Sequence, residues 1–152
     1  MSLSTLIAQV KSINSTRQDV GAAFDEVQSA LDELNTNWLD WTPTYGAGGS
    51  MTFTSVSTTR AVYKVLDNIV FGMIRFSGTT GGTASNSITA SAPIAGSLSS
   101  SINSPCYIRD GSTRDIGIIA CGNPNLTFYL KDLSSWGIGS NREASCFFFY
   151  EI

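Results

Sequence analysis

The apolar repeat in the first 38 residues strongly limits what this chain can fold into. Apolar side chains recur there at alternating spacings of three and four residues, which is the heptad pattern of a coiled coil. The repeat keeps one phase over about 50 Å of helix, at ~1.5 Å per residue. It therefore predicts a helix that associates with copies of itself rather than one packed on its own domain. The predicted seam consists of Leu3, Leu6, Val10, Ile13, Arg17, Val20, Phe24, Val27, Leu31, Leu34 and Trp38.

The number of helices follows from the side chains at position d. Three of the five d residues, Ile13, Val20 and Val27, are β-branched, and such side chains fit poorly at the d positions of a parallel dimer. The e and g positions carry no charged residue, so they can join an interface broader than that of a dimer. We therefore predict a parallel trimeric coiled coil, with residues 1–38 as its stalk.

Arg17 is the polar lapse in the repeat. Three guanidinium groups near a threefold axis repel one another and would need anions, waters or a locally splayed bundle. Ser15 and Gln18 have the S-x-x-Q spacing of a capping box, so a second interpretation has the helix restart there and leaves residues 1–13 as a separate docking segment. The unbroken phase favours one continuous helix.

The helical pattern ends after Trp38. The following segment, WTPTYGAGGS, contains Pro43 and three glycines and cannot continue a helix, so residues 39–50 are interpreted as a linker. Turn residues then separate short runs that have the alternation or the aromatic and β-branched content of strands. A mainly β fold is predicted for residues 51–152, as a knob built on an antiparallel β-sandwich of jelly-roll type. The predicted strands are 51–56, 60–66, 68–76, 86–91, 105–109, 115–121, 126–131 and 145–152.

The last run, CFFFYEI, has aromatic residues on both faces of its predicted strand. On an open sheet edge, such a strand would promote aggregation. We therefore expect the core on one side of it and a neighbouring subunit on the other.

Charge and hydropathy exclude two kinds of partner. Nine basic and twelve acidic residues give a formal charge of −3, and without a basic run to neutralise a phosphate backbone we expect no nucleic acid partner. No apolar stretch approaches the ~20 residues that a membrane span needs, and residues 1–13 lack the pattern of a signal peptide. Neither membrane insertion nor signal-directed export is expected.

The residue types needed for most catalytic and metal sites are scarce. The chain has no histidine, which removes the commonest general base and most zinc sites. Cys106, Cys121 and Cys146 show no C-x-x-C spacing and lie in or beside apolar runs, so they are predicted to be buried thiols. No metal and no cofactor are predicted.

Five motifs follow one another between residues 38 and 95. They are a tryptophan-led segment, a strand containing Y-K-V with a turn, a strand of the I-V-F type, a loop rich in glycine and serine, and an S-x-P segment, at Trp41–Tyr45, Ala61–Asp67, Asn68–Phe76, Gly78–Thr83 and Ser91–Ile94. Behind a coil, this order resembles the fibre and receptor-binding knob domains of bacteriophages.

The resemblance implies a virion protein made in the host cytoplasm, on a tail fibre, baseplate or head fibre. A homotrimer would attach to other virion proteins through its N-terminal region and bind a host-surface glycan or protein through its knob. The resemblance includes no catalytic signature and does not extend beyond about residue 100.

Two turns of the knob hold the candidate contact residues. In SSWGIGSNRE a tryptophan could stack on a sugar ring while its neighbours hydrogen-bond to hydroxyl groups, or it could cap the sandwich or fill the trimer interface. The RDGSTR turn offers further charged residues, which could equally form a turn with local ion pairs. The candidates for receptor binding are Trp136, Asn141, Arg142, Arg109, Asp110 and Arg114.

Hydrolysis of a glycan would need two suitably placed carboxyl groups. Asp110 and Asp115 flank one turn and could reach each other, but the D-G pair is first of all a signal for a tight turn. We therefore predict a non-enzymatic adhesion subunit. The alternatives are a glycan-degrading phage tail protein, or depolymerase, and a secreted lectin-like trimer.

Overall fold

The computed structural model describes residues 19–29, 38–96, 102–122 and 124–152. The chain divides into two units between Asn37 and Trp38. In the first unit, residues 19–29 form a helix, α1, whose side chains are all exposed. Among the described residues, no helix has the length and apolar character needed to cross a membrane.

Three residues of the predicted seam lie on α1. Val20, Phe24 and Val27 are exposed there by 49, 70 and 56%, and their spacings of four and three residues place them on one side of a helix. A coiled coil is not shown by this short helix. The predicted break at 15–18 and seven further seam residues lie outside the described residues, namely Leu3, Leu6, Val10, Ile13, Arg17, Leu31 and Leu34. Trp38, the last predicted seam residue, is described outside any helix and belongs to the second unit, so its prediction as a helical seam residue is wrong.

The second unit, residues 38–152, is called the β unit. Its strands are β1 Leu39–Asp40, β2 Tyr45–Ala47, β3 Met51–Leu66, β4 Ile69–Gly82, β5 Ser87–Ser91, β6 Ile102–Asp110, β7 Thr113–Cys121, β8 Asn125–Tyr129 and β9 Gly139–Glu151. They form one sheet in the order β1-β3-β4-β9-β6-β7-β8-β5-β2, and neighbouring strands are antiparallel. The prediction of a mainly β fold is confirmed.

The sheet curls until side chains from its two ends meet. Tyr45 of β2 packs its ring against Phe53 of β3 and Phe76 of β4, with ring centroids 6.1 and 4.8 Å apart. The Tyr45 hydroxyl also shares a 2.8 Å hydrogen bond with Thr58 Oγ1. A single twisted sheet can thus enclose a core by itself, and the predicted sandwich of jelly-roll type is not confirmed.

β3 joins two runs that were predicted as separate strands. Its register against β4 shifts between Thr54 and Ser57 and again between Thr58 and Arg60, and Ser55 between them has a φ of 50°. Such bulges bend a strand and increase its twist without ending it. The small polar residues that resembled a break therefore lie within one 16-residue strand.

The segment 39–50, interpreted as a linker, contains β1 and β2. Leu39 pairs with Tyr63 of β3, and Tyr45 pairs with Ala90 of β5, so the segment contributes a strand to each end of the sheet. Proline and glycine rule out a helix here but not short strands at a sheet edge.

The core lies inside the curl. Its most deeply buried apolar side chains include Val70, Ile74, Phe76, Ile88, Ala90, Ile108, Ile119, Leu126, Phe128, Trp136 and Ala144. Cys106, Cys121 and Cys146 are also buried and form no disulfide. Burial raises the pKa of Cys106 to about 12 and that of Cys121 to about 11, so both are neutral thiols at physiological pH. The prediction of buried thiols is confirmed.

Candidate interaction surface

β9 places aromatic side chains on both faces of the sheet. Cys146, Phe148 and Tyr150 point inward and are buried, whereas Phe147 and Phe149 point outward and are 67 and 45% exposed. The two-residue period of a strand requires this division. The C-terminal run thus supplies part of the core and also an exposed apolar strip.

Neighbouring strands widen this strip. Phe71 of β4 pairs directly with Phe149, and their ring centroids are 6.3 Å apart. Tyr107 of β6 pairs with Ile116 of β7, and these side chains are 38 and 64% exposed. We call this outward-facing set the aromatic face; it consists of Phe71, Tyr107, Ile116, Phe147 and Phe149.

A groove of about 810 Å³ runs along the aromatic face. Trp38, Leu66 and Pro105 add further apolar surface to its lining, and Trp38 is 43% exposed. Lys64 is the one charged residue among the described residues that line it. An open apolar surface of this kind is typical of a site that binds another molecule.

The groove lies where β6 and β9 cease to pair. Their register extends from Tyr107↔Ser145 to Asp110↔Arg142, whereas β9 remains paired with β4 as far as Glu151. The lining beyond that point comes from both strands and includes Pro105, which has no N–H to donate across a ladder. The loss of pairing between the two strands accounts for the groove.

Polar contacts lie at both ends of the outward side of β9. At one end Glu143 forms a 2.7 Å ion pair with Arg75 of β4. At the other end Glu151 accepts a 2.8 Å hydrogen bond from Asn68 Nδ2. The aromatic face therefore has an apolar centre between polar groups that are already engaged within the chain, which resembles the core and rim of a protein interface.

Packing beneath the face depends on one glycine. A Cβ on Gly72 of β4 would overlap the ring of Phe148 on the next strand. The absence of a side chain lets that ring lie against the inner side of β4, where it stacks on Tyr150 with centroids 6.1 Å apart. The strands that present Phe71, Phe147 and Phe149 are thus held by close packing from inside.

A second candidate region joins the turn between β6 and β7 to the loop 130–138 and to the first residues of β9. Arg142 is 6% exposed, and its Nε lies 2.7 Å from Asp110 Oδ1. Arg142 also donates hydrogen bonds to the carbonyl oxygens of Gly137 and Ser140, at 2.9 and 2.7 Å. The N–H of Gly137 in turn donates to the Asp110 carboxylate. These two predicted residues are therefore brought together, and they hold the loop in place.

Trp136 does not lie on the surface. Its side chain is fully buried, and its Nε1 donates a 3.2 Å hydrogen bond to the carbonyl oxygen of Phe128. An indole with a satisfied N–H is well suited to a core position, and its ring is not available to stack on a sugar. The predicted contact role for Trp136 is therefore wrong. Its side chain packs in the core beneath the loop.

The other predicted contact residues lie at the same end of the β unit. Arg109 and Arg114 are partners across the hairpin, and Arg109 Nε donates a 3.0 Å hydrogen bond to the carbonyl oxygen of Gly111. Gly111 has a φ of 66°, as the D-G turn signal predicted. Asn141 is exposed with a φ of 61°, a conformation that asparagine tolerates better than most residues.

The carboxyl group of Asp115, on the other side of this turn, belongs to a surface ion pair. Asp115 lies 2.5 Å from Lys131 Nζ, and the hydrogen bond from Lys131 lowers the pKa of Asp115. A general acid in glycoside hydrolysis needs a raised pKa, which is the opposite shift.

Within the described part of the chain, no group of three or more Asp, Glu, Cys or His residues is placed to hold a metal ion.

The sequence predicted only part of the aromatic face. The alternation in CFFFYEI predicted the outward side of β9, but Phe71, Tyr107 and Ile116 join it only through strand order, which no local pattern encodes.

Comparisons with protein-family models, with curated proteins and with solved structures found no match. The aromatic face and the loop region are therefore the two surfaces from which a function is inferred.

Proposed function

We propose that this protein is a non-enzymatic, homotrimeric fibre subunit of a bacteriophage particle. In this proposal residues 1–37 form a coiled coil that trimerises and attaches the chain to other virion proteins, and the β unit acts as the knob that binds a host-surface glycan or protein. The observation that carries the proposal is the aromatic face, because a monomer rarely exposes so much contiguous aromatic surface.

The helix α1 supports the stalk in this proposal. Its 11 residues carry their large apolar side chains, Val20, Phe24 and Val27, on one side and leave them exposed. An isolated helix of this length is marginal in water. Association along Val20, Phe24 and Val27 would supply the missing burial, as it does in coiled coils.

The loop region supports the receptor-binding role. The Asp110–Arg142 pair and its hydrogen bonds to two carbonyl groups fix the loop backbone, while Arg109, Arg114 and Asn141 present polar groups on that framework. Polar side chains on a rigid loop framework are the usual means by which a β domain recognises a ligand. Of the predicted contact residues, these three remain in the proposed receptor site.

The proposal is tested with the full-length chain. Sedimentation equilibrium at micromolar concentration should give three times the 16.2 kDa chain mass. Antibody raised against the chain should label phage particles in electron micrographs, and a glycan array or whole bacterial cells should retain the protein. A monomer that labels no particle and binds neither cells nor glycans would refute the proposal.

The glycan-degrading alternative makes a separate prediction. If Asp110 and Asp115 were a catalytic pair, incubation with capsular polysaccharide would release reducing ends. Asp115→Asn would then abolish the release while leaving binding intact. We expect no release above the level of a heat-denatured sample.

A further inference from the structure

We propose that the outer face of β6, β7 and β8 carries a binding site for a neutral sugar of a host-surface glycan. The site is a depression of about 450 Å³ that shares no lining residue with the aromatic face or with the loop region. The inference rests on the proposed function for the source of the ligand, and it commits one site of the β unit to a glycan. The depression is lined by Asn86, Asn103, Ile118, Ala120, Tyr129 and Leu133.

Strand alternation places the floor of this depression on the outside of the sheet. Ile119 and Cys121 of β7 are fully buried, so Ile118 and Ala120 on the same strand point outward. Both are half-buried by the side chains around them. Because Ala120 carries only a methyl group, the floor lies below the longer side chains on the neighbouring strands.

Two of those longer side chains stand on opposite sides of the floor. Asn103 of β6 pairs with Ala120, and Tyr129 of β8 pairs with Ile118. β6 and β8 flank β7 in the sheet. Strands ~4.8 Å apart with a rise of ~3.3 Å per residue place the Cα atoms of Asn103 and Tyr129 about 12 Å apart. That separation leaves room for one or two sugar rings between the two side chains.

The polar groups around the depression are available to a ligand. Among the described residues, none forms a hydrogen bond with the carboxamide of Asn86 or Asn103 or with the hydroxyl of Tyr129. A carboxamide offers both donors and an acceptor, which matches adjacent hydroxyl groups of a sugar. The Tyr129 ring is half-buried and packs against no other aromatic ring of the described residues, so it can pack against the C–H groups of a sugar ring.

The composition of the lining selects a neutral sugar over other ligands. None of the described residues that line the depression is charged, and the chain has a formal charge of −3. A nucleotide or an acidic sugar would therefore place its negative group here without a counter-ion. A purely apolar ligand would cover the two carboxamides and the phenol without giving them hydrogen bonds. A neutral hexose or N-acetylhexosamine has both the hydroxyl groups and the apolar C–H surface that this lining can bind.

Leu133 adds an apolar group to the rim of the depression. Its side chain is 56% exposed, and its φ is 59°. A bulky residue rarely adopts this conformation, and such conformations are concentrated at ligand sites. The N–H of Leu133 donates a 3.0 Å hydrogen bond to the carbonyl oxygen of Leu130, which holds the turn. The turn thus keeps a leucine side chain where it can contact the ring carbons of a sugar.

The test applies the full-length protein to an array of neutral and acidic glycans. We expect retention on neutral glycans, and Asn103→Ala and Tyr129→Ala should each weaken it by about tenfold, because a hydrogen bond or the packing of an aromatic ring is lost. Tyr129→Phe keeps the ring and should lose less. Asn125→Ala is the matched control, since Asn125 is exposed on β8 and does not line the depression, and it should be retained like the parent protein.

The outcomes separate this inference from the proposed function. Equal retention of the Asn103→Ala and Asn125→Ala proteins would overturn the sugar site and leave the loop region, which Asn141→Gly probes, as the receptor site. Asn103 is exposed, so its substitution gives this answer even if Tyr129→Ala fails to fold. Retention by acidic glycans alone, or by whole bacterial cells but no neutral glycan, would also overturn the inference. A protein retained by neither cells nor glycans would remove the receptor-binding role of the β unit as well.

Discussion

The guanidinium group of Arg142 lies 2.7 Å from the carboxylate of Asp110 and is almost fully buried. The contact joins the end of β6 to the first residues of β9, which follow the loop 130–138. Because Arg142 also donates to two loop carbonyl groups, this one side chain fixes both the loop and its distance from the hairpin. The ion pair is therefore structural, and the receptor contacts that we propose depend on it.

Asp110→Ala should destabilise the β unit by about 3 kcal/mol, because it leaves a buried guanidinium without its counter-ion. Urea unfolding followed by tryptophan fluorescence measures the change. Lys131→Met provides the matched control, since it removes the surface partner of Asp115 and should shift the midpoint very little. Equal losses in the two variants would show that the buried pair has no special role.

Gly72→Ala should lower the free energy of unfolding by about 1 to 3 kcal/mol, because the added methyl group overlaps the Phe148 ring. Gly81→Ala on the same strand meets only the Thr52 hydroxyl, at 2.9 Å, and that side chain can rotate. Thermal melts of the two variants compare an aromatic obstacle with a flexible one. A larger loss for Gly81→Ala would contradict the packing described beneath the aromatic face.

Local patterns predicted the strands and the D-G turn well, since these depend on neighbours in sequence. The curl of the sheet and the union of two runs in β3 were not predicted, because they depend on bulges and on the contact of Tyr45 with Phe53 and Phe76. For Trp136 the sequence left both a sugar contact and burial in the fold open, and the structure shows burial. A polar loop sequence gives no sign that its one aromatic residue turns inward to bond to Phe128.

Stability should fall as the pH rises above about 9, because of the buried cysteines. Burial raises the folded pKa of Cys121 from 9.0 to about 11, so the unfolded chain loses its proton first. The stabilisation is complete below pH 9 and is lost as the pH approaches 11, at up to ~1.4 kcal/mol per pH unit for each thiol. Cys121→Ala should reduce the slope of unfolding free energy against pH in urea titrations, and an unchanged slope would contradict the shift.

The contribution of Asn141 to receptor binding can be separated from its contribution to folding. Asn141 has a φ of 61°, a conformation that glycine adopts without strain, so Asn141→Gly removes the side chain and should keep the melting temperature. If the loop region binds the host surface, retention on cells or on a glycan array should fall by about tenfold, and the loss should be larger for the trimer because three sites act together.

Trp136→Ala is the contrasting variant for the same assay. It should lower stability by about 3 to 5 kcal/mol, since a fully buried aromatic side chain is removed. Binding by this variant should fall only to the extent that the protein unfolds, and it should return at lower temperature. Full binding by Asn141→Gly would remove Asn141 from the receptor site, whereas lost binding by folded Trp136→Ala would show that the indole contacts the receptor after all.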